Sequence, residues 1–205
     1  MLAPQGRRPL LVWLALSAVG LFCFPPALFL TLPVTLLVGW FYRDPERKTP
    51  DNPRAFVAPA DGRVTEIVRT SHPYCGPAVK IGIFMNALNV HVNRMACAGT
   101  VEYLDYIPGR KWVASAPKAS LENERFFLGY QTAHGRVLQC QIAGLVARRI
   151  ACSVKKGDSF AAGQRYGMIL LGSKVDVYLP LNAVLSVSVG ARTVAGETVI
   201  AEVKE

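Results

Sequence analysis

The sequence predicts a mainly β protein of the α+β class, an antiparallel β sandwich or barrel preceded by an apolar helical hairpin. Three observations predict it. Residues 10–42 carry no charged side chain. From Ala55 onward, short β-type runs are broken at close intervals by Gly, Pro and Asn, the spacing of an all-β domain. Beyond the apolar segment there is no long amphipathic pattern and no tandem repeat.

The apolar segment comes first in the chain. As one helix, residues 10–42 would reach roughly 50 Å at about 1.5 Å per residue, against a hydrocarbon core of about 30 Å. Pro25-Pro26 interrupts it and Pro33 follows. Proline removes a helical hydrogen bond and clashes with the preceding turn. The prediction is two helices, about 9–24 and 27–42, each a little short for a full span. Arg7 and Arg8 precede them, and Arg43, Arg47 and Lys48 follow. Basic residues at both ends place both on the cytoplasmic side. The alternative is a secretory signal. No A-x-A cleavage pattern follows the run, and bulky Phe22 before Cys23 does not suit a lipoprotein cysteine. A retained anchor on the cytoplasmic face of the cell (inner) membrane is expected.

Residues 43–54 are polar with three prolines and read as an exposed linker. The predicted organisation is a hairpin over 1–42, a linker over 43–54 and a β-rich domain over 55–205. Its strand-like runs include Arg63-Val64-Thr65-Glu66-Ile67-Val68, Val79-Lys80-Ile81-Gly82-Ile83-Phe84, Arg136-Val137-Leu138-Gln139-Cys140-Gln141-Ile142 and Val175-Asp176-Val177-Tyr178-Leu179.

Across 205 residues, 23 Lys and Arg against 14 Asp and Glu give a net charge of +9, which favours a polyanionic partner. The basic residues are scattered, with no zinc-finger spacing, RNA-binding strand pattern or basic helix. An anionic membrane is therefore expected rather than nucleic acid. Five widely spaced cysteines without a C-x-x-C suggest neither a zinc site nor a disulfide framework, and reduced thiols are expected.

Chemistry enters at Gly172-Ser173, between two apolar runs. At such a step a chain can cut itself. The serine hydroxyl attacks the preceding carbonyl, the amide becomes an ester, elimination leaves a dehydroalanine, and hydrolysis yields ammonia and an N-terminal pyruvoyl group. That group is an electron sink of the kind amine-forming decarboxylation needs. Glycine at 172 leaves the carbonyl open to attack. An ordinary turn serine is the competing reading. His91, between Val90 and Val92, is the best general-base candidate, since a serine hydroxyl needs a base to take its proton at neutral pH. A satisfied core histidine is its alternative. Asp61 before Gly62 reads by propensity as a turn aspartate. His72 and His134 are the other histidines, with His134 expected at the surface in a hairpin turn.

Four segments occur in one order: Pro59-Ala60-Asp61-Gly62, Phe84-Met85-Asn86-Ala87-Leu88-Asn89-Val90-His91-Val92-Asn93-Arg94, Asn123-Glu124-Arg125 and Leu171-Gly172-Ser173. The chain resembles the phosphatidylserine decarboxylases over about 42–179, in particular their short form. The phrase from Gly144 to Ile150 and the turn Gly157-Asp158 fit that form too. The resemblance implies self-cleavage between Gly172 and Ser173 into fragments 1–172 and 173–205 that stay associated. It implies a covalent pyruvoyl group derived from Ser173, with no metal and no pyridoxal phosphate. It further implies a Schiff base between that group and the serine amine of phosphatidylserine, loss of carbon dioxide, and release of phosphatidylethanolamine. On this reading Ser173, His91 and Asp61 are catalytic. Larger members carry a second histidine three positions on, where this chain has Arg94, which becomes a candidate for the substrate phosphate or carboxylate. Asn123, Glu124 and Arg125 are candidate substrate or cleavage-loop residues.

Residues 58–64 and 154–164 both place Gly/Asp turns between β runs. The second resembles the lipoyl/biotinyl hybrid sandwich but lacks its Met-Lys turn, so the elements would be shared without the carrier role. Two rivals stay open: a membrane-tethered hybrid-sandwich adaptor without catalysis, and a pyruvoyl decarboxylase of another substrate, a soluble amino acid or an archaetidylserine-type lipid. Oligomeric state, a homo-oligomer included, is also open.

Overall fold

A computed structural model describes residues 1–110, 122–144, 150–170 and 173–204. The chain divides into two compact units, Met1–Glu46 and Arg47–Glu205.

The first unit is the helical hairpin. A 3-10 turn (Pro4–Gly6) leads into α1 (Arg7–Cys23), and a second turn (Pro25–Ala27) leads into α2 (Leu28–Phe41). The proline pair thus makes the bend, while Pro33 is tolerated inside α2. Small residues let the helices approach: a Cβ at Gly20 would lie 3.3 Å from that of Ala27. Ser17 and Thr35 hydroxyls meet at 3.0 Å between the helices. Each also lies within hydrogen-bond distance of a carbonyl of its own helix, Trp13 O and Thr31 O, so one of the two donates across the pair and the other along its helix. The hairpin's ends are tied where Ala3 N–H meets Tyr42 O at 2.9 Å. Bulky apolar groups point away from the helix contact, with Phe22 84% and Phe29 89% exposed. The 3-10 turn extends the first helix to Pro4–Cys23, 20 residues and apolar enough to cross a bilayer, longer than the sequence predicts. The second stays shorter, at Pro25–Phe41.

In the second unit the stretch expected as an exposed linker lies along the β-rich body from Arg47 on. Arg47 pairs with Asp61 at 2.9 Å and reaches Glu197 at 3.8 Å. Lys48 N–H donates to Glu197, and Asn52 Nδ2 to Glu202. These partners are charges far along the chain, which local composition does not reveal.

The body is built of β1 (Ala55–Val57), β2 (Gly62–His72), β3 (Gly76–Met85), β4 (Val92–Arg94), β5 (Gly99–Ile107), β6 (Arg125–Thr132), β7 (Gly135–Ile142), β8 (Ile150–Cys152), β9 (Ser159–Phe160), β10 (Arg165–Ile169), β11 (Ser173–Pro180), β12 (Ala183–Leu185), β13 (Arg192–Thr193) and β14 (Val199–Val203). They form an eight-stranded sheet of order β13-β2-β3-β11-β7-β6-β5-β9 and two three-stranded sheets, β1-β14-β12 and β4-β10-β8. The pairings are antiparallel. The expected β sandwich behind a helical hairpin is the observed architecture.

Period-2 alternation sorts the large sheet's faces. Val175, Val177 and Leu179 of β11 face Ile83, Ile81 and Val79 of β3 in register. Together with Phe56 of β1, Ile169 of β10, Ile200 of β14 and Met95, the first three and the two isoleucines form the main core. The two small sheets therefore cover one face of the large one. On the other face Phe127, Leu138, Cys140 and Ile142 make a second cluster. Beside it lies a charged group in which Lys174 contacts Glu66 and approaches Asp176 at 3.0 Å, and Lys80 meets Glu66 at 3.0 Å. Asp176 is only 1% exposed. Burial pushes its carboxyl above the usual carboxylate range against the pull of the two lysines.

Gly62 opens β2 at a close approach of two backbones. A Cβ there would lie 2.1 Å from Phe84 O, so no other residue fits beside β3.

Candidate active site

Ser173 is the first residue of β11 and pairs with Met85, the last residue of β3. Its register places the side chain on the core face with Val175 and Val177. It is fully buried, and its Oγ makes no hydrogen bond among the described residues. A buried hydroxyl in that state is uncommon, because desolvation without a partner costs about 1–3 kcal/mol. Gly172, the other half of the expected cleavage step, lies outside the described residues, as do residues 145–149 of the phrase that follows Gly144.

His91 is fully buried at the entry to β4, where its carbonyl accepts from Ile169 N–H at 3.3 Å. Met85 and His91 bound the connection from β3 to β4. Ile169 and Ser173 bound the passage from β10 to β11. The pairing of Ser173 with Met85 and the contact of Ile169 N–H with His91 O place both residues toward the same end of the large sheet. His91 Nδ1 lies 2.9 Å from Asn89 O. A carbonyl only accepts, so Nδ1 carries a proton, and in the neutral form of the ring the lone pair is at Nε2.

Among the described residues, the hydrogen bonds of Asp61 go elsewhere than to this imidazole. Its carboxylate accepts from Arg47 at 2.9 and 3.1 Å and from Ala195 N–H at 2.8 Å. Asn89 O occupies the place that a triad would give a carboxylate. The sequence could not show this, because a main-chain acceptor leaves no signature.

Arg94 is 6% exposed, and its guanidinium donates to Gly163 O at 3.0 Å. A Cβ at Gly196 would come within 2.9 Å of its Cδ. It packs against turns, away from the side of β4 that faces Met85. Asn93 takes that side: its Nδ2 reaches Met85 Sδ at 3.7 Å, and its Oδ1 accepts from Gln141 Nε2 at 2.7 Å. Gln141 pairs with Val175 and shares the core face with Ser173. Its Oε1 is buried without a partner among the described residues. This buried amide pair is the part of the site that sequence reasoning missed. The available signal was two glutamines, Gln139 and Gln141, at alternate positions of an otherwise apolar strand.

Asn123, Glu124 and Arg125 lie at the same end of the sheet. Asn123 is fully buried and donates to Ala143 O at 2.7 Å, while Glu124 O accepts from Ala143 N–H at 3.0 Å. Arg125 heads β6 opposite Ile142, which in turn faces Lys174. These residues lock the end of β7 in place beside Ser173. His134 is half-buried in its hairpin turn, less exposed than expected, with Nε2 2.8 Å from Pro53 O and its ring against Phe56. His72 packs against Phe127 on the far face.

This arrangement joins a buried nucleophile-type hydroxyl, a tautomer-fixed imidazole and an amide pair at one end of a β sandwich. The family model described as phosphatidylserine decarboxylase matches residues 34–201. A phosphatidylserine decarboxylase proenzyme of Chlorobium phaeobacteroides (strain BS1) is 43% identical over 214 aligned positions, covering 100% of both chains. Proteins of the same description are 48% identical in Cupriavidus pinatubonensis, over 84% of this chain and 81% of that one, and 46% identical in Burkholderia ambifaria (strain MC40-6), over 94% and 89%. The chain is therefore an enzyme of the decarboxylase class. It belongs to the phosphatidylserine decarboxylase family.

Proposed function

We propose that this chain converts phosphatidylserine to phosphatidylethanolamine and carbon dioxide at a pyruvoyl group made from its own Ser173. The observation that carries the reading is the fully buried Ser173 Oγ without a hydrogen bond among the described residues, at the head of a central strand. A hydroxyl kept from competing partners is suited to attack the carbonyl before it. Its environment fits the group that would replace it, since a ketone at 173 has no O–H left to satisfy.

In self-cleavage, Ser173 Oγ bonds to the Gly172 carbonyl carbon as its proton passes to His91 Nε2. The amide C–N bond breaks, the nitrogen takes a proton, and an ester remains. Loss of the Ser173 Cα proton and rupture of the Cβ–O bond leave Gly172 as a carboxylate and residue 173 as a dehydroalanine. One water then releases ammonia. Between the resulting fragments β11 stays hydrogen-bonded to β3 on one side and β7 on the other, and β14 to β1, which holds 173–205 on 1–172.

When present, the pyruvoyl group supplies the electron sink for decarboxylation of the amino-acid head group. His91 then holds a proton at Nε2 for the head-group carbon that loses carbon dioxide, so that one proton is consumed per carbon dioxide released. Asn93 and Gln141 hold polar groups against the site. Asp61 acts as a positioning residue through Arg47 and the 193–197 turn. The apolar hairpin anchors the enzyme in the membrane with its catalytic unit on the cytoplasmic face, and the net charge of +9 favours an anionic bilayer.

Ser173→Ala tests the reading. An unbroken chain that releases no carbon dioxide from phosphatidylserine is expected. A Ser173→Ala chain that still yields a 173–205 fragment would overturn it.

A further inference from the structure

On the function proposed above, position 173 becomes the end of a chain once the cut is made. Chain ends fray unless something ties them down. The sheet register holds this end on one side only: Ser173 pairs with Met85 of β3, whereas pairing with β7 begins at Lys174, opposite Ile142. Lys174 is therefore the first side chain after the reacting residue. Side chains alternate along a strand, so it points to the face opposite Ser173 and away from the reacting atoms.

On that face Lys174 is buried, 6% exposed. Its Nζ contacts Glu66 of β2 and lies 3.0 Å from Asp176 of β11. Glu66 and Asp176 both register with Gly82 of β3, one from each neighbouring strand. The lysine stem thus runs diagonally over Gly82 and sets its ammonium between two carboxylates. Gly82 leaves the room for it: a Cβ there would lie 2.6 Å from Lys174 Cε and 2.9 Å from Nζ. Lys80 also meets Glu66 at 3.0 Å, so that carboxylate is itself held. Burial opposes the charge on Lys174, but Asp176 and Glu66 pull harder and keep it above the ordinary lysine pKa. Replacing a whole buried ion group by apolar side chains is often neutral or better, so stability alone does not call for one here.

We propose that Lys174 is a positioning residue for the group at 173: clamped across Gly82 by Glu66 and Asp176, it holds the new end of fragment 173–205 in register against β3. This assignment rests on the function proposed above. Lys174 acts after the cut rather than on it, because before cleavage the chain itself holds residue 173 from both sides.

Full-length chains in detergent micelles test it. Lys174→Met removes the tether. Gly82→Ala displaces the flexible end of the lysine at little cost to the backbone, and it serves where Lys174→Met folds poorly. Each variant should still yield the 173–205 fragment. Turnover of phosphatidylserine per hydrazide-titrated pyruvoyl group should fall about tenfold or more, the scale of a misplaced reacting group, with KM within about twofold. Amide hydrogen exchange gives a readout apart from activity. Relative to parents with Lys174 and Gly82 intact, exchange at residues 174–177 should accelerate about tenfold more in the cleaved variants than in the same variants made uncleavable by Ser173→Ala. Equal acceleration in cleaved and uncleaved chains overturns the assignment, because the ion group then serves the sheet alone. Unchanged turnover per pyruvoyl group overturns it as well. A wild-type chain that forms no fragment and takes up no hydrazide defeats the proposed function and this anchor with it, and it is told apart from the other two results because those follow a normal cut.

Discussion

At the scale of single residues, the account separates a proton carrier from a positioning group. His91→Gln should slow appearance of the 173–205 fragment by about a hundredfold or more, the usual span of general-base loss, with little change in Tm. Asp61→Asn removes the anion held by Arg47 and Ala195, so it should lower Tm and slow cleavage together. Time courses on gels and melting curves of the same samples check both, and His91→Gln cleaving at the wild-type rate would remove it as the base. Gly62→Ala drives a methyl into Phe84 O and should cost about 2 kcal/mol or more in denaturant unfolding. Ser173 and His91 could be named as candidates from the sequence because each is a residue type whose chemistry is hard to replace at its place in the motif. Asn93, Gln141 and the Asn89 carbonyl could not. Buried amides look like surface residues in a one-dimensional pattern, and a main-chain acceptor has no letter at all.

At the scale of elements, β11 carries the reacting serine on one face and a buried charge group on the other. Lys174→Met takes the nearest cation from the buried Asp176 carboxylate and should cost about 3 kcal/mol, as loss of one partner from a buried ion group does. Denaturant unfolding of the purified variant checks it. His72 at the end of β2 gives a pH signature. Burial holds its imidazole below the ordinary histidine value, although the charge of Asp105 pulls the other way. The fold favours the neutral ring, so this contribution is full above the ordinary histidine pKa and is lost as pH falls through the lowered one. His72→Phe should therefore lose less Tm than wild type between pH 8 and pH 5, and parallel curves would contradict the assignment. The period-2 runs predicted β2, β3, β7 and β11 well, because alternation against an apolar core leaves a repeating trace. The short strands β8, β9, β12 and β13 left none, since two or three residues cannot show a period. Their places are set by tertiary pairing.

At the scale of the whole molecule, sequence and structure agree on a hairpin followed by a β sandwich and differ on the join. Pro45, Pro50 and Pro53 suggested an exposed linker, whereas Arg47 and Lys48 hold to the body through Asp61 and Glu197. The partner charges lie 14 and about 150 positions away, beyond the reach of local composition. A chain lacking residues 1–46 should remain in the supernatant when membranes are pelleted, while the full chain sediments. The central claim is that the enzyme makes its own prosthetic group from Ser173. Intact-mass spectrometry of the purified protein, with and without a carbonyl-reactive hydrazide, tests it most directly. The account predicts a 173–205 fragment that begins with a pyruvoyl group and takes up one hydrazide. An intact, unlabelled chain of 22.3 kDa from preparations active on phosphatidylserine would contradict it.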